Sequence, residues 1–490
     1  MSVTSSPQPA SGPRIDVRDK SPEEQKLALA ASEISMLMFI VAVVAVSQAF
    51  PFKSVKFALM GLFGVVLVWQ TLKRPAVGLA LIVFASPGVE LAPFKFGAAL
   101  NTETLIALFM LFIWFRANQL YGKDPYTSRM SRVLLIYVLV MIAACFNAWL
   151  TWRTGLFDLI AAVKNHAIFM ITLPVAFHVL RDRRDQMLVI LAASLSLGLN
   201  CASGINHSWY AFVTGTLERR RAQALLAIQP NAFGSALAMY FPIFLLLAIY
   251  SVGTRMTRIW YSSLSFLSGF TLILTLSRGA WMGAIGGLAV AAVYRARRLL
   301  VVMAIGAATF QLWVPDAAVD RVNETIDTEG DNAGEIEQST AMRIEQYKSL
   351  PAMMAPRPVF GWGYQSFSRV FEKYGTLKRA KGAHSAYCQY GTELGLIGLG
   401  LLAFTLGSVA WAGFRASRYA EDPFHQWLGG GIVGGVIAMA ICMGSGARWD
   451  PQKMFVFFWV FVAVAERESL VGLASRGGLG GHVAGSRGGT

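Results

Sequence analysis

Long apolar runs recur along nearly the whole chain and constrain its fold more than any other feature. A helix needs roughly 20 mostly apolar residues to cross the hydrocarbon core of a bilayer. With 55% hydrophobic and 14% charged residues, the chain is too apolar for a soluble domain. The sequence therefore predicts an all-α polytopic integral membrane protein with about 12–14 transmembrane helices. Candidate spans lie near residues 34–50, 54–72, 75–92, 101–115, 133–150, 156–180, 187–203, 231–251, 259–275, 279–294, 299–314, 389–412, 427–446 and 453–466.

One long polar segment, at about residues 315–388, interrupts this pattern. Composition then divides the chain into a disordered leader, a helical bundle, the polar loop, further spans and a disordered tail. The leader lacks the apolar core and small-residue cleavage site of a removable signal peptide. The expected boundaries are 1–30, 31–314, 315–388, 389–466 and 467–490.

The Lys and Arg residues of the short loops predict the orientation, because cytoplasmic loops carry an excess of them. If the N-terminus is cytoplasmic, the loops that share its side are all basic; they include Lys73–Arg74, Arg181 to Arg184 and Arg295 to Arg298. Both termini then lie on the cytoplasmic side of the membrane, and the polar loop faces the opposite side. Basic loops facing an anionic leaflet account for most of the net charge of +15, without a nucleic-acid partner.

Four of the basic side chains on the predicted outer face stand out, because they go against this charge bias. Arg221 precedes a Pro-Asn helix start, and Arg278 stands where one span ends and the next begins. Arg343 lies in an amphipathic stretch, and His384 lies in a turn of small residues before a span. Each residue alone could anchor a helix end or lie exposed. Independent structural roles would not require all four to share one side.

Two further patterns concern the polar segment and the span that follows it. Around Arg343, a helix would place Ile344, Tyr347 and Leu350 on one face, since residues three and four apart are neighbours on a helix. Glu393 would lie about one turn into a span, where an ionisable group is expensive. It is therefore either a partner for an arginine or His384, or the acceptor of a structural hydrogen bond.

The chemistry of these residue types suits glycosyl transfer from a lipid diphosphate. A guanidinium forms two parallel hydrogen bonds to phosphate oxygens and stays ionised, so two or three of them form a diphosphate cradle. A neutral imidazole, with an ordinary pKa near 6.5, can take a proton from an attacking hydroxyl. Neither group needs a metal or a cofactor, and the scattered Cys and His residues lack zinc-ligand spacing.

Three motifs carry a resemblance to a known family. They are SRGAW at 277–281, the block RIEQYKSLPAMM at 343–354 with VFGWGYQSF at 359–367, and HSAYCQYGTELGLIG at 384–398. In order and spacing they resemble the ligase and polymerase superfamily of bacterial surface polysaccharides. It includes O-antigen ligases, O-antigen polymerases and bacterial protein O-oligosaccharyltransferases. The resemblance covers about 200 residues, from Arg221 to Gly400, and the layout of many spans with one large periplasmic loop.

The resemblance implies a role for each candidate residue. Arg278 and Arg343 match arginines that bind the undecaprenyl diphosphate of the glycan donor, and His384 matches a loop histidine that acts on the acceptor. Arg221 resembles a further periplasmic arginine. The expected catalytic residues are thus His384, Arg343 and Arg278, with Arg221 also binding diphosphate and Glu393 in support. The implied activity is a metal-independent polyprenyl-diphosphate-glycan glycosyltransferase, with no cofactor.

The acceptor stays open at this point. It is a lipid A core sugar for a ligase, another lipid-linked glycan for a polymerase, or a protein hydroxyl for a protein glycosylase. The loop with Arg343 and His384 resembles the ligases slightly more, although His384–Ser385 stands where many members have His-Asn. A flippase or transporter of lipid-linked oligosaccharides is the alternative from another class, but the chain shows no internal repeat of that kind.

Overall fold

The computed structural model describes residues 53–86, 95–96, 100–217, 220–224, 228–250, 254–309, 312, 314, 318–319, 338–375, 382–446 and 454–476. The chain divides into two compact units, residues 1–70 and 71–490. Several predicted segments lie outside the described residues: the leader at 1–30, the first span at 34–50, most of 315–337, and the tail beyond 476.

Helices make up almost all of the described chain, which confirms the predicted all-α class. The described chain also contains one antiparallel pair of two-residue strands, β1 (Lys95–Phe96) and β2 (Leu100–Asn101). In chain order the helices are α1 (Lys53–Lys73), α2 (Pro75–Ala85), α3 (Thr102–Tyr121), α4 (Arg129–Trp152), α5 (Leu156–Ala167), α6 (Thr172–Val179), α7 (Arg183–Val213), α8 (Pro230–Tyr250), α9 (Arg255–Leu274), α10 (Arg278–Arg295), α11 (Arg298–Ala308), α12 (Gln338–Met354), α13 (Phe367–Tyr374), α14 (Ala386–Tyr419), α15 (Pro423–Gly444) and α16 (Phe455–Arg476).

Six helices of the described chain are long and apolar enough to cross a bilayer: α3, α4, α7, α8, α14 and α15. A seventh candidate is the broken span formed by α5 and α6, which bend by 42°. Of the other predicted spans, α2 and α11 are apolar but shorter than a span, and some others carry charges. Arg278 and Arg295 stand at the two ends of α10, and Glu466 and Arg467 lie within α16. Helix α16 continues to Arg476, so it extends past residue 466, where the tail was expected to begin.

Helices α10 and α15 pack with their backbones close together. Gly279, Gly283 and Gly287 recur at every fourth residue and so share one face of α10. A Cβ added at Gly283 would lie 2.7 Å from the carbonyl oxygen of Ala438, and one at Gly287 would collide with the carbonyl of Gly434. Small residues at such spacing let membrane helices approach closely, and this contact fixes where α10 begins.

Ion pairs tie together one end of the bundle, where α3, α6, α10 and α14 end and where α4, α7 and α15 begin. Arg467 Nη1 lies 2.7 Å from Asp124 Oδ2, and both side chains are almost fully buried. Glu466 accepts hydrogen bonds at the start of α4, from Ser128 Oγ at 2.6 Å and from the Met130 N–H at 3.0 Å. Further pairs join Arg74 to Asp185 and Arg183 to Asp422. The basic loops that the sequence places on one side do gather at this end.

Candidate active site

Arg278 is the first residue of α10, at the end of the bundle opposite the ion pairs. The chain reverses between α9 and α10 through Leu276, whose φ of 48° is rare for a side chain of this kind. Trp281 Nε1 donates to the carbonyl of Leu272 at 3.0 Å, and this hydrogen bond links the first turn of α10 to the last turn of α9. The SRGAW motif therefore builds a fixed reversal that presents Arg278 at the N-terminus of a helix.

Arg221 is bound to this same turn. Its Nε donates to the carbonyl of Thr275 at 2.6 Å, and its Nη2 donates to Asn231 Oδ1 at 2.8 Å. The Ala222 N–H donates to the carbonyl of Leu274 at 3.0 Å. The guanidinium thus joins the start of α8 to the end of α9, three residues before Arg278. These contacts support the Arg278 turn; a role for Arg221 in binding diphosphate stays a prediction.

Arg343 lies on α12 and is partly buried, and the face that carries Ile344 and Tyr347 is not the one that this helix buries. Ile344 is 37% exposed and Tyr347 is 41% exposed, whereas Gln346 and Met353 are fully buried. The helix turns Gln346 and Met353 inward and leaves Ile344 and Tyr347 toward the surface. It packs through the Gln346 face, because its polar neighbours there are the backbone groups of the loop before α14.

A small apolar core holds α12 in place. The buried residues Met353, Phe367, Val370, Phe371 and Cys388 form one cluster, contributed by α12, α13 and the first turn of α14. Burial of such side chains is the main favourable term in packing. The polar segment is thus a folded cap on the bundle, in its described part, and it keeps α12 at a fixed distance from α14.

His384 lies in the loop that α12 holds against the start of α14, and its side chain is exposed. The His384 N–H donates to Gln346 Oε1 at 2.8 Å, and Gln346 Nε2 donates to the carbonyl of Gly382 at 3.0 Å. Ser385 is the N-cap of α14; its Oγ accepts from the Cys388 N–H at 3.4 Å. The serine that replaces the common asparagine is therefore a helix cap.

The turn at residues 444–446, which follows α15, joins these elements. Tyr347 OH donates to the carbonyl of Gly444 at 2.9 Å and lies 2.8 Å from Ser385 Oγ. The Ala386 N–H donates to the carbonyl of Gly446 at 3.2 Å. Gly279 lies against Ser445, since a Cβ added there would come within 2.9 Å of the Ser445 Cβ.

These contacts bring the surroundings of three predicted residues to one place. Gly279 follows Arg278, Tyr347 is one helical turn from Arg343, and Ser385 follows His384; each touches the 444–446 turn or its neighbour. Burial raises the pKa of Tyr347, so its phenol stays protonated and continues to donate at neutral pH. The catalytic and diphosphate-binding roles of Arg278, Arg343 and His384 stay predictions.

Glu393 lies two turns into α14 and is 2% exposed. Its Oε1 accepts from the Phe367 N–H at 3.3 Å, and its backbone carbonyl accepts from the Gly363 N–H at 2.8 Å. Both contacts hold the loop between α12 and α13. They match the structural alternative for this carboxylate, and its supporting role at the site stays a prediction.

The same loop enters a break in α14. Gly395 has φ 65° and ψ −150°, which interrupts the helix. The Leu396 and Ile397 N–H groups donate to the carbonyls of Pro358 and Val359, at 2.8 and 3.2 Å. Gly361, with φ 62°, has no room for a Cβ against the backbone of Glu393. The glycines of VFGWG and ELG therefore serve turn geometry and close approach.

Sequence reasoning missed two residues that organise the site. Gln346 and Tyr347 follow Arg343 by three and four positions, a spacing that places all three near one face of α12. That spacing was the signal available for Gln346. Because the residue is polar, the sequence alone did not suggest that it is buried. Nothing in the GSG sequence of residues 444–446 distinguishes it from an ordinary connection.

Comparison with known families agrees with the motifs. Residues 263–403 match the sequence model of the O-antigen ligase family. The match includes Arg278, Arg343, His384 and Glu393, and it leaves out Arg221. The superfamily predicted from the motifs is confirmed over these residues. No curated protein matches the chain in a sequence search.

Proposed function

We propose that this protein, a membrane glycosyltransferase of the O-antigen ligase and polymerase superfamily, transfers a glycan from undecaprenyl diphosphate to an acceptor at the periplasmic face of the bacterial inner membrane. The convergence on the 444–446 turn carries the proposal. Through that turn, the helix that begins at Arg278, the helix that bears Arg343 and the loop that bears His384 are held together.

In this proposal the arginines bind the leaving group. Arg278 and Arg343 each form paired hydrogen bonds to phosphate oxygens, which keeps the diphosphate in one orientation. Arg278 does so from the N-terminus of α10, where the helix dipole also favours an anion. As the bond to the sugar breaks, negative charge grows on the bridging oxygen, and the two guanidinium groups stabilise it.

His384 prepares the acceptor. A neutral imidazole nitrogen takes the proton from the acceptor hydroxyl while the hydroxyl oxygen forms a bond to the anomeric carbon. The bond from that carbon to the diphosphate oxygen breaks, and undecaprenyl diphosphate leaves with the electron pair. Direct attack of this kind inverts the configuration at the anomeric carbon.

The acceptor we favour is a lipid A core sugar, which makes the protein O-antigen ligase-like. The family description of residues 263–403 supports this choice. A polymerase of the same superfamily would use the same donor and the same three residues, and would differ only in its acceptor. The decisive experiment therefore varies the acceptor.

Purified protein would be reconstituted in vesicles with an undecaprenyl-diphosphate glycan and, in separate samples, lipid A core, a second lipid-linked glycan or an acceptor protein. We expect release of undecaprenyl diphosphate and transfer of the glycan to lipid A core, with no change on addition of EDTA. Exclusive transfer to the lipid-linked glycan would make the protein a polymerase. A strict requirement for Mg²⁺ or Mn²⁺, or translocation without release of undecaprenyl diphosphate, would contradict the proposal.

A further inference from the structure

We infer that Gln346 is a positioning residue for His384: its buried amide holds the loop that aims the imidazole at the acceptor. This inference rests on the proposed function, in which His384 is the general base. Gln346 itself lies under the loop and has no part in the chemistry assigned above.

The two groups of the Gln346 amide face matching partners. The oxygen accepts from the His384 N–H at 2.8 Å, and the NH₂ group donates to the carbonyl of Gly382 at 3.0 Å. Each end of the amide therefore meets a group of opposite hydrogen-bonding character, on either side of Ala383. The side chain is fully buried, so water cannot take over both bonds when the amide is removed.

The exposure of His384 explains why such a device is needed. His384 is an exposed residue, so burial does not hold it in place. The backbone on which it stands is fixed instead. Gln346 holds residues 382 and 384, while Ser385 is held by Tyr347 and by its own capping of α14. The backbone from which the imidazole projects is thus held on both sides of His384.

Gln346 also sets the spacing between the two halves of the proposed site. It lies on α12 three residues after Arg343, so the arginine and the clamp on the histidine loop move as one rigid helix. Misplacement of a reacting group by about 1 Å can lower a rate by about 100-fold. Loss of the clamp would therefore slow the transfer step without weakening the binding of the donor.

A double-mutant cycle distinguishes positioning from plain support of the fold. The variants are Gln346→Met, which keeps the length of the side chain and loses both hydrogen bonds, His384→Ala, and the two combined. Lys348→Met is the matched control, because it makes the same replacement at an exposed position two residues along the same helix. Single-turnover transfer would be followed with a radiolabelled donor, so that slow variants stay measurable.

We expect Gln346→Met to lower kcat about 10- to 100-fold with an unchanged KM for the donor. In the His384→Ala background the same replacement should have no further effect, since the hydrogen bonds of Gln346 then have no imidazole to position. Lys348→Met should match the parent. Gln346→Glu, which keeps the acceptor for the His384 N–H, should restore part of the rate lost in the Met variant.

Three results would overturn the inference: parent kcat in Gln346→Met, an equal further loss when that change is added to His384→Ala, or equal losses in the Met and Glu variants. These differ from failure of the proposed function, which would show as a parent rate in His384→Ala alone. Size-exclusion profiles of all variants would verify folding, and if Gln346→Met does not fold, Gln346→Glu decides, with parent kcat as the contradicting result.

Discussion

The two ends of the bundle use their arginines in different ways. At one end Arg467 and Arg183 are paired with the carboxylates of Asp124 and Asp422. At the other end, Arg221 donates to a backbone carbonyl and to the amide oxygen of Asn231, which are neutral acceptors. The first arrangement pairs opposite charges, whereas the second uses neutral acceptors to fix the orientation of a guanidinium.

This difference separates stability from binding. A buried ion pair holds helices in register, and removal of one partner leaves an uncompensated charge inside the protein. A guanidinium held in a fixed orientation belongs to the geometry of a site and contributes less to the register of the helices. We therefore expect substitutions at the two ends to fail in different assays.

The largest expected effect is on thiol labelling, which reports the end of the helical bundle that faces the outside of the cell. Cysteine introduced at Lys348 should react with an impermeant thiol reagent added to intact cells, whereas cysteine at Arg297 should not. Both positions are exposed, and all four native cysteines are buried, which keeps the background low. Labelling at 297 and protection at 348 would reverse the proposed orientation.

His384→Ala should reduce transfer by about 10² to 10⁴, the usual contribution of a general base. Donor binding should stay close to that of the parent, because the arginines are intact. Transfer rate and donor affinity would be measured on the same vesicles. A variant that is expressed normally and transfers glycan at the parent rate would show that the base lies elsewhere.

Arg278→Ala or Arg343→Ala should lower kcat/KM by about 10- to 100-fold, since a hydrogen bond to a charged group contributes about 1.5–3 kcal/mol. Lysine at either position should restore only part of the loss, because it lacks the planar fork of arginine. Donor titration and turnover would be measured together. Full rescue by lysine would indicate simple charge attraction in place of paired hydrogen bonds.

Arg467→Ala should leave kcat of the folded protein unchanged and lower its stability, by about 3–5 kcal/mol, the usual effect of breaking a buried ion pair. Asp124→Asn is the complementary variant at the same pair. Thermal unfolding in detergent and turnover at low temperature would separate the two effects. If turnover fell in these variants while stability stayed at the parent value, the ion-paired end would also serve catalysis. The comparison between the two ends would then be wrong.

Tyr347→Phe should have the smallest effect, about 1 kcal/mol of stability for one hydrogen bond. Burial raises the pKa of Tyr347, so the folded protein holds the phenolic proton more tightly than the unfolded chain does. Its contribution is therefore fully present below the ordinary tyrosine pKa of about 10 and is lost as pH rises above it. Melting temperatures of the two proteins should converge at strongly alkaline pH; a constant difference would contradict this assignment.

The sequence predicted the structure of this protein best where a residue type has a single physical role. Apolar runs predicted the helices, and the excess of Lys and Arg predicted that Arg181 and Arg295 share an end of the bundle. The motif SRGAW indicated a site residue, Arg278, that the fold does place at a helix start.

Long-range contacts account for what sequence reasoning missed. Tyr347 looked like a core residue by its spacing with Leu350, yet its hydroxyl reaches the carbonyl of Gly444, which lies far along the chain. Gln346 is polar, yet it is fully buried, because backbone groups of residues 382 and 384 satisfy its amide. Helical periodicity reports side-chain polarity, and it does not report which backbone will supply a partner.

The break of α14 at Gly395 limits how this domain can be recombined with its relatives. The N–H groups of Leu396 and Ile397 depend on the carbonyls of Pro358 and Val359, and an unpaired N–H at membrane depth is costly. In a chimera with a crossover point between these two segments, the loop would come from one parent and the helix from the other. Both N–H groups would then lose their hydrogen-bond acceptors. Parent sequences should therefore be exchanged at points before α12 or after α14, so that loop and helix are inherited together.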